Sequence, residues 1–109
     1  MFNRGDIVAV DFPFTDGVDS KVRPALVISN KLVNSSGDVI IALITSKTSQ
    51  PELLLEIDNA LLSHPLPKQS YIRCHRLHAV HSSLLLHKVS VASPQLLEKV
   101  KENIVKLIS

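Results

Sequence analysis

The sequence predicts a mainly β fold: a small, strongly bent sheet or barrel of five or six strands with one C-terminal α-helix. Three observations lead there. Short runs rich in β-branched residues recur at 7–12, 25–29 and 39–44, each bounded by glycine, proline or polar turn residues. The later runs are continuously apolar rather than alternating, as in strands covered on both sides. Only near the C-terminus does the apolar spacing become that of a helix.

Taken in order, Gly5-Asp6 opens the first strand, Ile7 to Phe12, and Pro13 closes it. Thr15 to Lys21 (TDGVDSK) is a polar loop with a turn-forming Asp16-Gly17. Arg23-Pro24 leads into a strand over Ala25 to Ser29, where a proline at the first position removes no central ladder bond. Asn34-Ser35-Ser36-Gly37 reads as a turn, so this strand pairs with Val39 to Ile44 as a hairpin or meander. Leu53 to Ile57 is a further strand, ambiguous with helix on leucine content alone. Ser63 to Lys68 holds two prolines and is no regular helix. Tyr71 to His75 and Leu85 to Val91 complete the strands. Ser93 is then an N-cap with Pro94 in the first helical position. Leu97, Val100, Ile104 and Leu107 follow at helical spacing, giving an amphipathic helix of about 14 residues.

The 109 residues are one domain's worth, and 45% apolar content suffices for a core. A net charge of +2 is too small for coating nucleic acid by bulk electrostatics, so any such binding needs a local patch. Lys68 to Arg76 (KQSYIRCHR) is the best one, with Lys68, Arg73, His75 and Arg76. Three Phe, one Tyr and no Trp argue against a base-stacking platform. The single cysteine, Cys74, excludes an internal disulfide and a thiolate metal site. His75, His78 and His81 read as scattered surface histidines, because residues 75 and 78 point to opposite sides of a strand. No metal or other cofactor is expected. Neither a signal peptide nor a membrane-spanning run is present, which predicts a soluble cytoplasmic protein without membrane association.

Three stretches carry a family resemblance. GDIVAVDFPFTDGVDSKVRPALVIS (5–29), IALITS (41–46) and SYIRCH (70–75) resemble, in order and spacing, the MazF/PemK-like toxins of type II toxin–antitoxin systems, within the CcdB/Kid superfamily. The resemblance implies an SH3-like barrel over residues 1–109, usually a homodimer, whose complex with its antitoxin also binds DNA. It implies a metal-independent endoribonuclease that cuts single-stranded RNA at short sequences, leaving 2′,3′-cyclic phosphate and 5′-hydroxyl ends. It also implies a cognate antitoxin protein that occupies the same groove.

The family's catalytic pair, the arginine of its RP block and the threonine of its ITS block, maps to Arg23 and Thr45. The chemistry suits them. Attack by a 2′-hydroxyl builds charge on a phosphorane, and a permanently charged guanidinium matches its oxygens. Pro24 helps aim Arg23, and the Thr45 hydroxyl can hydrogen-bond the scissile phosphate. Ser46, Lys47, Arg73, His75, Asp19 and Lys21 are the candidate RNA-binding residues. Lysines in the flanking loops would attract phosphate in a salt-dependent way.

Two positions depart from the family pattern. His75 stands where some relatives carry an acid, and Val18 to Lys21 lacks the glutamate or histidine that many relatives place before the arginine. Asp19 is the only acid or base left in that segment, at a different spacing. Two other readings therefore stand beside the nuclease: a degenerate RNA- or antitoxin-binding module, and a gyrase-inhibiting toxin on the same fold. The last has little support, since the chain ends in Lys106-Leu107-Ile108-Ser109 without the aromatic typical of that class.

Overall fold

A strand apolar at every position must be covered on both faces, and the chain meets that demand by curling. The computed structural model describes residues 2–13 and 20–109. Six strands form one antiparallel sheet: β1 (Asp6–Pro13), β2 (Ser20–Val27), β3 (Asp38–Thr45), β4 (Leu54–Glu56), β5 (Tyr71–His81) and β6 (Leu85–Val91). Their order across the sheet is β4-β5-β3-β2-β1-β6. Two helices accompany them, the short α1 (Lys31–Asn34) and the terminal α2 (Pro94–Ile108).

Alternate residues of the central strands feed two separate cores. Ile7, Leu26, Ala42 and Ile44 join Ile72, Cys74 and the α2 residues Leu96, Leu97 and Val100 on one side. Val8, Val10, Ala25, Val27, Val39, Ile41 and Leu43 meet Val80 and Leu85 on the other. Each fully buried Leu or Ile in these layers, such as Leu26 or Ile41, contributes about 1.5–3 kcal/mol by leaving water.

The curl has local causes. The β1–β6 ladder slips twice, between Ile7 and Val8 and between Ala9 and Val10, and such bulges sharpen twist. Phe12 of β1 and His78 of β5 come within 4.8 Å, centroid to centroid, although β2 and β3 lie between their strands. The sheet does not close, but its ends are tied. Leu62 bridges Ala92, the Ser63 amide donates to the Val91 carbonyl at 2.9 Å, and the Ser93 amide donates to the Leu61 carbonyl at 2.8 Å. This is the small barrel-like architecture the sequence predicts.

Helix α2 starts as expected, with the Ser93 hydroxyl accepting from the Leu96 amide at 3.3 Å and Pro94 in its first turn. It spans 15 residues and buries Leu96 besides the expected Leu97 and Val100, while Ile104 and Leu107 pack at the margin. No helix among the described residues is long and apolar enough to cross a membrane.

Three expectations are corrected. Strand β2 begins at Ser20 rather than Ala25, so Arg23 and Pro24 sit within it, paired with Val10 and Ala9 of β1. Proline is tolerated there because the β2–β3 ladder stops at the adjacent pair Ala25–Leu43, where no N–H is required. The turn expected at 34–37 is present at 35–37, but it is preceded by α1, which was not expected. Asn30 caps it by accepting from the Leu32 amide at 3.0 Å, and Asn34 is buried, accepting from the Ser29 hydroxyl at 2.5 Å. Strand β5 continues to His81, well past the expected His75. The Asp16-Gly17 turn and Asp19 fall in 14–19, outside the described residues.

Candidate active site

The end of the β2–β3 ladder makes the site. Beyond Ala25 and Leu43 the two strands no longer bond, and a cavity of about 670 Å³ opens between them. Val22, Arg23 and Pro24 line it from β2, and Leu43, Ile44 and Thr45 line it from β3, followed by Ser46 and Lys47. Arg23 and Thr45 each lie two residues past the last ladder pair. The Thr45 Oγ1 accepts from the Lys47 amide at 3.1 Å, which fixes the rotamer and leaves the hydroxyl proton to donate outward.

The wall on the far side of β3 from β2 comes from residues 66–76. The Gln69 side chain donates to the Ile57 carbonyl at 3.0 Å, the Ser70 hydroxyl donates to the Lys68 carbonyl at 2.8 Å, and the Leu66 amide donates to Asn59 Oδ1 at 3.2 Å. These bonds pin Leu66, Pro67 and Lys68 at the rim. Arg73 and Arg76 reach in from β5 through an irregularity in the sheet. Between Ala42 and Ile44 strand β3 advances two residues, while β5 advances five, from Ile72 to Leu77. The three extra residues form a wide bulge. In a regular strand, positions 73 and 76 would face opposite sides; with the bulge, both line the cavity.

The result is strongly cationic. Arg23, Lys47, Lys68, Arg73 and Arg76 line the cavity, and no Asp or Glu does so among the described residues. Burial, and then the neighbouring Arg76, lower the pKa of Arg73 from its ordinary value. Burial, then Arg73 and Arg76, hold His75 below the usual imidazole range. Burial followed by Arg76 does the same to His78. Cys74, buried behind the bulge, has its thiol pushed up to about 11 and is inert packing.

Five of the residues singled out from the sequence meet here: Arg23, Thr45, Ser46, Lys47 and Arg73. Lys21 and His75 are exposed and do not line the cavity, and Asp19 lies outside the described residues. Lys68 and Arg76, visible in the sequence only as part of a basic stretch, join the site. Among the described residues, no three His, Cys, Asp or Glu side chains are grouped as metal ligands.

Residues 3–108 match the family model described as PemK-like, MazF-like toxin of type II toxin–antitoxin system. No curated protein matches the chain by sequence. Among solved structures, one similar fold is an endoribonuclease in complex with its cognate antitoxin from mycobacterial species. Its TM-score is 0.80 at 16% identity, covering 99% of this chain and 95% of that one. MazF from Deinococcus radiodurans gives 0.78 at 18% identity, covering 98% and 96%. The Mycobacterium tuberculosis toxin MazF-mt6 gives 0.73 at 17% identity, covering 93% of each chain. At such identities the structural likeness speaks for the fold.

Proposed function

Because this chain belongs to the PemK-like, MazF-like toxins of type II toxin–antitoxin systems, a family of endoribonucleases in general, we propose that it cleaves single-stranded RNA in the cavity between β2 and β3. The observation that carries this reading is the placement of Arg23 and Thr45 where the ladder ends, within a cavity lined by five cations.

In the proposed reaction the 2′-oxygen attacks the adjacent phosphorus as it loses its proton. The bond from phosphorus to the 5′-oxygen breaks, and that oxygen takes up a proton. The products are a 2′,3′-cyclic phosphate and a 5′-hydroxyl. Arg23 carries the charge that grows on the phosphorane, a contribution of about 3–4 kcal/mol for one well-placed donor. Thr45 donates its hydroxyl to a non-bridging oxygen. Arg73 and Lys47 hold the strand. Cleavage on this scheme requires no metal.

For proton removal the candidates are His75 and Asp19. Burial, then Arg73 and Arg76, lower the pKa of His75, which favours the neutral ring that can accept a proton, although the residue stands outside the cavity lining. We further propose that the chain acts as a homodimer in the cytoplasm and is neutralised by a cognate antitoxin. The antitoxin segment that enters this cationic cavity would carry acidic side chains, by charge complementarity.

A second reading rests on one observation. No carboxylate or imidazole lines the cavity among the described residues, which favours a module that holds RNA or antitoxin without cutting. A labelled single-stranded RNA incubated in EDTA separates the two. Discrete 5′-hydroxyl fragments from the wild type, with Arg23→Ala and Thr45→Ala each slowed by roughly a hundredfold or more, support the nuclease. RNA that is bound but left intact supports the binding module.

A further inference from the structure

We propose that Arg76, together with Arg73 and Lys68, forms a second phosphate site beside the Arg23–Thr45 opening. The preferred ligand is then a single-stranded oligonucleotide with at least two consecutive phosphodiesters.

The bulge in β5 is the first support. Three extra residues in one strand of a pair interrupt the ladder and leave backbone groups without their regular partners. What the bulge achieves is to aim two guanidiniums, three positions apart, into one cavity. The second support is one atom of Arg76. Its Nε is buried and has no hydrogen-bond partner, and the single salt bridge among the described residues joins Lys88 to Asp6, far from this wall in sequence. Buried donors are normally satisfied. Like charges held together with no Asp or Glu lining the cavity among the described residues are the arrangement expected where an anion completes the set. The depressed pKa of Arg73, caused in part by Arg76, agrees with this crowding.

Phosphodiester suits the arrangement better than an isolated carboxylate. Arg23 reaches the cavity from β2, and Arg73, Arg76 and Lys68 reach it from β5 and the segment before it, with β3 and its Thr45 between the two. A ligand with repeated charges along one chain addresses both sides. This inference rests on the nucleic-acid reading given above, and the experiment is arranged so that either can fail alone.

Binding is measured by fluorescence anisotropy with fully 2′-O-methylated single-stranded oligonucleotides, which lack the attacking hydroxyl. Wild type, Arg76→Gln and Arg76→Lys are compared over a range of salt, with strands of one, two and more phosphodiesters. In Arg76→Gln, affinity should fall about tenfold or more, and the slope of log affinity against log salt should lessen by about 0.7. Arg76→Lys should keep the slope, which shows that the charge rather than the fold is being read. Adding the second phosphodiester should strengthen binding in the wild type and not in Arg76→Gln.

An unchanged slope and length dependence in a folded Arg76→Gln overturns the inference, as does a wild type that fails to bind these strands. It is also overturned if polyglutamate binds with Arg76 dependence while the oligonucleotide does not, which would make this wall a protein-docking surface. Cleavage of ordinary RNA by the same wild-type preparation is scored separately. A cutting enzyme with an unmoved slope sinks the second site alone. A moved slope without cutting sinks the nuclease alone.

Discussion

Gly5 offers a sharp quantitative test of the fold. It sits at φ 100°, donates its amide to the Val27 carbonyl at 2.8 Å, and accepts from the Ala92 amide at 2.8 Å. It therefore ties β1, β2 and the lead into α2 at one point. A Cβ added there would meet Leu97 Cδ1 at 3.1 Å and the Ala92 carbonyl oxygen at 3.4 Å. In Gly5→Ala, forcing an L-residue to positive φ costs about 1–2 kcal/mol. Pushing the core residue Leu97 off its rotamer adds about 0.5–1.5 kcal/mol. The smaller conformational freedom of unfolded Ala offsets about 0.4–1 kcal/mol. Summing those ranges gives a net loss of about 0.5–3 kcal/mol, with a midpoint of about 1.8 kcal/mol.

Gly37 is the control. Its φ is 98°, but a Cβ there meets only His81 Nε2, at an ordinary 3.7 Å. Gly37→Ala should thus lose only the backbone share, about 1 kcal/mol. Urea unfolding followed by circular dichroism, with unchanged m-values, measures both. Equal losses at the two glycines would refute the Leu97 contribution. A loss below about 0.5 kcal/mol at both would refute the strain argument itself.

Other outcomes follow from single contacts. Ser93→Ala removes the cap on the Leu96 amide and should cost about 1 kcal/mol in the same assay, whereas Ser93→Asp should restore most of it. A Ser93→Ala protein as stable as the wild type would show that the cap does not hold α2. His78 contributes a pH dependence. Its folded pKa lies below the ordinary imidazole value, through burial first and Arg76 second. The fold prefers the neutral ring, so the contribution is full above the unfolded pKa and is lost as pH falls through the lower folded value. The wild-type urea midpoint should therefore decline from about pH 7 to about pH 5 more steeply than that of His78→Leu. Parallel declines would assign the acid sensitivity elsewhere.

The parts of the fold governed by local chemistry are legible in the sequence. Ser93-Pro94 announces α2 because capping and proline geometry act within one turn. The run 39–44 announces a doubly covered strand because burial acts on every residue of it. The bounds of β6 match expectation, Leu85–Val91. What escapes is set by partners distant in the chain. Nothing near Arg23-Pro24 reveals that β2 has already run four residues along β1 when it reaches Pro24. The fact that makes Pro24 admissible, the end of the β3 ladder, belongs to another strand.

The site divides the same way. Arg23 and Thr45 are marked by the family resemblance of the RPALVIS and IALITS stretches, and Arg73 lies in the third such stretch, SYIRCH. Arg76 is hidden, because period-two reasoning places it on the face opposite Arg73. Only the mismatch between β3 and β5, a property of two strands jointly, brings them together. The same mismatch hides the second half of β5, where Arg76 and His78 interrupt any apolar alternation.

The place of β6 in the sheet also sets a schedule. Ile7 of β1 pairs with Ser90, which the ribosome adds much later. Val89 of β6 shares the cavity lining with Ala9 of β1. A nascent chain that stops short of residue 85 therefore carries a cavity with one wall missing and β1 with its outer edge bare. Until β6 emerges, the unpaired amides and carbonyls along that edge are open to any strand that reaches them. The unfinished chain is exposed to mispairing at the very edge its own last strand later covers.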